Sequence, residues 1–171
     1  MSDQALAKHL WNQTAANSAL SDKEQSLLLD QYKLCVEMAD RNSSRRDAKN
    51  TFFLTLNGLI LSSSPAFIVK VSIFETKLYC LIPYVIICMQ LFFWRQLILS
   101  YKQLNGAKFR IIGAMEQKLP ASPYGKAEWQ YLLKEGKDRK VYWPLTHLET
   151  KIPWIFFLGY TIAFVAIFFR H

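Results

Sequence analysis

Apolar residues in this chain are gathered into three long blocks that are separated by charged segments. The blocks cover Thr51–Val69, Leu78–Trp94 and Ile152–Phe169. Each block is about long enough to cross a bilayer, whose hydrocarbon core takes about 20 helical residues. A soluble domain would instead spread its apolar residues as stripes along amphipathic elements. The pattern therefore predicts an all-α integral membrane protein with three transmembrane helices.

The first block is the weakest of the three. Asn57 and the run Ser62-Ser63-Ser64-Pro65 interrupt it, and a proline after three serines is expected to kink or end the helix. Small and hydroxylated residues allow close helix packing in lipid, and the same residues can line a pore. We favour packing, and a partial or re-entrant first span stays an alternative. The candidate pore or packing residues are Asn57, Ser62, Ser63, Ser64 and Pro65.

Helical periodicity also extends outside the apolar blocks. Ser21 and Glu24 have the spacing of a capping box, which predicts that a helix begins near Asp22. Apolar residues then recur at helical spacing through Leu28, Tyr32, Cys35 and Ala39, and no helix breaker precedes the first block. One long helix should therefore run from Asp22 into the membrane. Its apolar stripe needs a partner, which is either the later cytoplasmic segment or another subunit.

The second block is predicted to continue as a helix past Arg95, because apolar residues recur every three or four positions as far as Leu119. Pro120 and Pro123 should end this extension. The chain then divides into a cytoplasmic N-terminal helical region (1–50), a membrane hairpin (51–94), a second cytoplasmic helical segment (95–151) and a third transmembrane helix (152–171).

Basic residues define the expected topology. Of the 21 lysines and arginines, 18 lie in residues 1–50 and 95–151, and the net charge is +8. Loops that are rich in Lys and Arg stay in the cytoplasm. The N-terminus and the 95–151 segment are therefore predicted to be cytoplasmic, whereas the loop near 70–77 and the C-terminus lie outside.

A basic collar formed by Arg41, Arg45, Arg46 and Lys49 precedes the first block. Headgroup anchoring and topology control are its ordinary explanation. The sharper alternative is a site for an anionic ligand such as a nucleotide, a nucleic acid or a lipid headgroup. Through this basic face the protein is a candidate to join a larger complex that contains protein or nucleic acid.

Motifs for catalysis and cofactor binding were sought and not found in the sequence. No Gly-rich phosphate loop is present, Ser63 has no nucleophile elbow around it, and the three histidines are scattered. The three cysteines lack metal-ligand spacing. The sequence therefore predicts neither an enzyme nor a cofactor or metal site.

Short motifs across residues 32–158 carry a family resemblance. They are Glu37–Arg41, Arg45-Arg46, Asn50–Phe53, Leu104–Phe109, Glu116, Leu119-Pro120, Pro123-Tyr124, Glu128-Trp129, Tyr142, Pro144–Thr146, Glu149 and Pro153. In these motifs the chain resembles the RipA family of small octameric bacterial membrane proteins. The resemblance implies a homo-oligomer in the bacterial inner membrane whose cytoplasmic segments pack together.

Two groups of residues follow as candidates for roles in such an assembly. Polar residues are candidates for subunit or anionic-ligand contact, and aromatic residues are candidates for packing anchors. The first group is Arg41, Arg45, Arg46, Asn105 and Lys108, and the second is Phe52, Phe53 and Trp129.

The layout of a cytoplasmic helix that feeds small membrane hairpins is also similar to SLATT-type membrane effectors. These accompany nucleotide-sensing and reverse-transcriptase-based (retron) phage defence systems. The similarity implies a membrane-perturbing or pore-forming effector that a partner restrains or triggers. The alternative is a non-toxic oligomeric scaffold or regulatory protein of the RipA type. A transporter subunit is disfavoured, because no Asp, Glu, Lys or Arg interrupts the apolar blocks.

Reporter fusions at both termini test the topology. With three spans, a reporter that is active only in the periplasm should be silent at the N-terminus and active at the C-terminus. With two spans, both fusions should behave alike. Activity at the N-terminal fusion would contradict the predicted orientation.

Overall fold

The computed structural model describes residues 6, 9–12, 20–71, 78–133 and 148–170, apart from the side chains of 64–71, 78–80, 129, 133 and 170. Each regular element within these ranges is a helix, which confirms the all-α class. The elements are α1 (Asp22–Val71), α2 (Leu78–Glu116), a π-helical turn (Pro123–Ala127), α3 (Glu128–Leu133) and α4 (Ile152–Arg170).

The start of α1 follows the capping motif. The Glu24 carboxylate accepts hydrogen bonds from the Ser21 backbone N–H at 2.9 Å and from the Ser21 hydroxyl at 2.8 Å. The backbone bond comes first among the causes that hold the pKa of Glu24 below its usual value. The Ser21 hydroxyl therefore donates to the carboxylate, whereas the usual capping box has this hydroxyl accept from a backbone amide.

One uninterrupted helix of 50 residues, about 75 Å long, leads from the capping motif to Val71. The predicted continuity from Asp22 is thus confirmed. The helix does not end at Pro65, because α1 runs on for six further residues; a kink at Pro65, the other expected effect, stays a prediction. A proline near the end of a long helix removes one backbone hydrogen bond, and flanking turns can keep the helix together.

Two helices in the described part of the chain are apolar and long enough to span a membrane, rather than the three predicted. They lie in Leu81–Glu116 and Ile152–Phe169. The predicted span over Thr51–Val69 is not among them. Its described side chains end at Ser63, so 13 of its residues remain, fewer than the roughly 20 that a membrane span takes.

Contacts divide the described residues into two units. The first contains 20–44 and 103–133, and the second contains 45–71, 78–102 and 148–170. Both units are built from parts of the same two helices, α1 and α2.

In the first unit, α1 and α2 pack antiparallel. The Tyr32 hydroxyl bonds Glu116 at 3.0 Å, and the Lys108 ammonium donates to the backbone oxygen of Met38 at 2.9 Å. Leu28 and Ala39, two members of the predicted apolar stripe, are buried here. The part of α2 that follows the second apolar block therefore packs on this stripe, which agrees with the first of the two alternatives.

Trp94 lies at the centre of the second unit, where it is 1% exposed. Its ring stacks on Phe53 at 5.4 Å between centroids, and its indole N–H donates to Asn50 at 3.1 Å. Leu91, Ile98 and Tyr160 complete the buried cluster.

Four side-chain contacts set the helix directions in the second unit. Asn57 meets Tyr160 and Arg46 meets Glu149, so α1 and α4 run parallel. Tyr84 meets Thr161 while Trp94 meets Phe156, so α2 runs antiparallel to α4. Asn57 is therefore level with the middle of α4.

Removal of the Tyr160 hydroxyl should weaken the packing of α1 on α4. The Tyr160→Phe variant loses a donor to the Asn57 backbone oxygen and side chain, each at 3.2 Å. We expect a loss of about 0.6–1.7 kcal/mol, the range for hydrogen bonds between membrane helices. Unfolding in mixed micelles of increasing SDS fraction measures it.

Tyr131→Phe is the matched control, because Tyr131 is 85% exposed. Equal unfolding curves for both variants and the parent protein would show that the bond to Asn57 contributes nothing.

Candidate functional site

Glu116 lies at the centre of a polar cluster in the first unit. The residue is 1% exposed. Its carboxylate accepts hydrogen bonds from the Tyr32 hydroxyl at 3.0 Å, the Ser122 hydroxyl at 2.8 Å, and the backbone N–H groups of Tyr124 at 3.1 Å and Gly125 at 2.7 Å. Four donors thus converge on one buried anion, and we call this arrangement the Glu116 clasp.

Hydrogen bonding keeps the Glu116 carboxyl group of the clasp ionised. Burial alone raises the pKa of the Glu116 carboxyl, but the bonds from Gly125, Ser122, Tyr124 and Tyr32 outweigh it and hold the pKa below its usual value. The pKa of Tyr32, which donates to this carboxylate, shifts in the opposite direction. Burial and the nearby Glu116 carboxylate raise the pKa of Tyr32 to about 12. Glu116 lies 22 residues beyond Trp94, well outside the apolar block.

The clasp joins the end of α2 to the segment that follows it. The amides of Tyr124 and Gly125 belong to the first turn of the π-helical segment, whose unpaired N–H groups favour an anion. A carboxylate from the preceding helix supplies that anion across a proline-containing turn. The clasp therefore fixes where the chain goes after α2.

Gly125 makes the close approach possible. A Cβ atom at this position would lie 3.0 Å from the Cα of Gly113, 3.0 Å from the Glu116 carboxylate and 3.1 Å from the Ser122 hydroxyl. A Cβ at Gly113 would lie 3.3 Å from the Cα of Gly125. The two backbones therefore approach closely. A Cβ at Gly125 would be tight against three atoms at once, whereas a Cβ at Gly113 would need one neighbour to shift by a few tenths of an ångström.

The structure places the predicted polar contact residues at several different sites. In the first unit, Lys108 donates to the Met38 carbonyl, and Arg41 forms an ion pair with Glu37 at 2.6 Å on the exposed surface. The Asn105 side-chain oxygen is buried and has no hydrogen-bond partner among the described residues. In the second unit, Arg45 is exposed, whereas the largely buried Arg46 lies 3.7 Å from Glu149.

The candidate pore or packing residues also divide into groups. Asn57 is fully buried and engaged with Tyr160, and its amide donates to the Phe53 backbone oxygen at 2.8 Å. Ser62 and Ser63 are exposed, and each hydroxyl donates to a carbonyl three residues earlier. The side chains of Ser64 and Pro65 lie outside those described.

A stripe of small, weakly polar residues faces away from the protomer along α1. Thr51, Thr55, Gly58 and Ser62 recur at helical spacing and are exposed, whereas Asn57 on the opposite face is buried. A Cβ at Gly58 would meet no atom within 4 Å. We call these four residues the outward stripe; Ser63 is rotated about 100° from Ser62 and does not belong to it.

The two phenylalanines that were predicted as packing anchors differ in their contacts and exposure. Phe53 stacks on Trp94, whereas Phe52 is 59% exposed and contacts Phe53 edge-on at 5.3 Å. The side chain of Trp129 lies outside those described.

Sequence reasoning did not find the clasp. Glu116 was part of a family-like motif, but nothing assigned it a partner, because Tyr32 lies 84 residues away. A lone glutamate beside two prolines at the end of an amphipathic helix was the available signal. Within the described residues, no group of His, Cys, Asp and Glu is arranged to hold a metal ion.

The comparison with protein families decides the identity. Residues 29–169 match the octameric membrane protein family (8xMP). The chain belongs to this family. No curated protein and no solved structure matches it.

The family name supports two of the broad expectations. This member of the octameric membrane protein family is a membrane protein, and it forms a homo-oligomer. It also agrees with the RipA-type resemblance, since both names describe an octameric membrane assembly. The name specifies no reaction, trigger or target.

Loss of the clasp charge should loosen the turn after α2. We expect Glu116→Gln to reduce hydrogen-exchange protection of the Tyr124 and Gly125 amides about 30-fold at neutral pH. That corresponds to about 2 kcal/mol for hydrogen bonds to a charged group. Exchange followed by mass spectrometry measures it, with Glu128→Gln, an exposed carboxylate on α3, as the control.

The contribution of the Glu116 charge to the stability of the turn depends on pH, and the direction of this dependence follows from the pKa shift. The folded pKa of Glu116 is depressed below 4.5. Its contribution is therefore present above the unfolded-state pKa and is lost as the pH falls through the folded value. The difference between parent and Glu116→Gln should shrink on acidification, after correction for intrinsic exchange. A difference that is constant down to about pH 3 would contradict this account.

Proposed function

We propose that this protein is an effector of the bacterial inner membrane whose assembled spans perturb the bilayer. A partner or signal of an antiphage defence system restrains or triggers it. The resemblance to SLATT-type effectors supports the defence context, and membership of an octameric family supports action as an assembly.

The first step is that the middle of α1 forms a third span with a cytoplasmic N-terminus. Asn57 packs against Tyr160, which lies near the middle of the apolar helix α4. Phe53 packs against Trp94 at the end of the second apolar block. A segment that lies beside two membrane helices at the depth of their apolar residues is in the bilayer itself. These contacts support the three-span arrangement.

The outward stripe is the observation that carries the effector proposal. In lipid, small residues allow close approach of another helix, and hydroxyl groups are better placed against water or a neighbouring subunit than against acyl chains. Thr51, Thr55, Gly58 and Ser62 are exposed, so none of the residues that the structure describes covers them within one protomer. In a ring of subunits this stripe can face either a neighbour or a central opening.

The first unit supports assembly outside the membrane as well. Leu27, Leu34 and Met38 recur on one face of α1 and are 59%, 59% and 47% exposed. A solvated helix gains nothing from a row of large apolar side chains, whereas a second subunit can bury them. The cytoplasmic helices are therefore part of the proposed subunit contact, together with Arg41, Arg45, Asn105 and Lys108 on their polar faces.

A non-toxic scaffold is the second candidate, and one observation favours it. Asn57 is fully engaged within the protomer, and the Ser62 hydroxyl is satisfied by Leu59 at 3.0 Å. A stripe whose polar atoms are already bonded can act as a tight packing surface without any water-filled opening.

Expression without a partner separates the two functions. The effector should depolarise the inner membrane and stop growth, as a potential-sensitive dye and growth curves report. Ser62→Leu lies on the outward stripe and should reduce the leak. Ser63→Leu is the matched control, because it makes the same change one residue away and off the stripe.

Oligomer size must be measured for each variant, since leucine at a tight contact would break the assembly. An intact oligomer without leak in the triggered parent protein, at expression confirmed by blot, would contradict the effector. The scaffold would then be the better description.

A further inference from the structure

An apolar groove of about 240 Å³ lies between α2 and α4 in the second unit. The α2 wall is formed by Cys88, Leu91, Phe92 and Arg95, which share one face of the helix. Trp154 and Phe157 contribute to the opposite wall. Arg95 lies seven positions after Cys88, so the groove is about 10 Å long along the helix.

The groove has one apolar end and one charged end. Arg95 directly follows the second apolar block, and Trp154 stands near the start of the third, so both lie where the spans leave the hydrocarbon. Tryptophan favours this headgroup level. From there the groove runs towards Cys88, deeper in the apolar block.

Arg95 carries a charge that has no counter-ion among the described residues. Its guanidinium lies over the Trp154 ring at 5.7 Å from the centroid. Its Nε atom is buried without a hydrogen-bond partner, and Arg95 joins none of the ion pairs found among the described residues. A partly buried guanidinium without an anion is unfavourable, and a phosphate matches its planar fork of donors.

We propose that this groove binds one anionic phospholipid. The phosphate contacts Arg95 beside Trp154, and an acyl chain lies along Leu91, Phe92 and Phe157 towards Cys88. Charge complementarity selects an anionic headgroup, and the length and apolar walls of the groove select a chain. The site does not depend on the effector function, because a scaffold would hold the same lipid.

Brominated lipids test the site, since bromine atoms quench tryptophan only at close range. The intact protein is reconstituted in nanodiscs with acyl-brominated phosphatidylglycerol or with acyl-brominated phosphatidylcholine. The Trp154→Phe variant is measured in parallel, so that the difference in quenching isolates Trp154. We expect phosphatidylglycerol to be preferred about fivefold, which is the effect of one basic residue near an anionic surface.

Three variants make the test specific. Arg95→Gln should abolish the preference, and Arg95→Lys should keep part of it. Lys102→Gln is the matched control, because this exposed residue lies two turns along α2 and outside the groove; it should behave like the parent protein. Oligomer size is checked for each.

Several outcomes would overturn the proposal. Equal quenching of Trp154 by the two lipids would indicate ordinary surrounding lipid. Absence of quenching by either lipid would mean that a neighbouring subunit fills the groove. An unchanged preference in Arg95→Gln, or a loss of preference in Lys102→Gln, would show that Arg95 does not recognise the headgroup.

Discussion

Hydrocarbon offers no hydrogen bonds, so polar side chains in a spanning helix need partners within the protein. In the second unit, two polar side chains of the apolar helix α4 have such partners: Tyr160 is bonded to Asn57, and the Thr161 hydroxyl is 3.0 Å from the Tyr84 hydroxyl. These bonds join helices that are otherwise held by aromatic packing around Trp94. Gln90 is an exception, since its amide is buried without a partner among the described residues.

The same requirement takes a different form in the first unit. There an ionised carboxylate is buried, and it persists because four donors surround it. A buried charge without such partners would be costly. Glu116 stabilises the turn after α2 in this way, and it links that turn to Tyr32 on α1.

Patterns along the sequence predicted the helices well, and contacts between distant residues poorly. The start of α1 was predictable because Ser21 and Glu24 act within one turn. The end was not, because the helix continues beyond Pro65. The partner of the stripe through Leu28 and Ala39 was left open, since periodicity identifies an apolar face and not what covers it. The clasp and the Asn57–Tyr160 bond connect residues 84 and 103 positions apart, which no local pattern encodes.

The contact between Gly113 and Gly125 has a consequence for how this sequence can change over generations. A Cβ atom at either glycine would lie close to the Cα of the other, and a Cβ at Gly125 would also lie close to the Glu116 carboxylate. A methyl group at Gly125 would meet three neighbours at once, so relief at one of them would leave the others in place. Drift at these two sites and at Glu116 is therefore coupled. We therefore expect a substitution at any one of these three positions to require a compensating change at another.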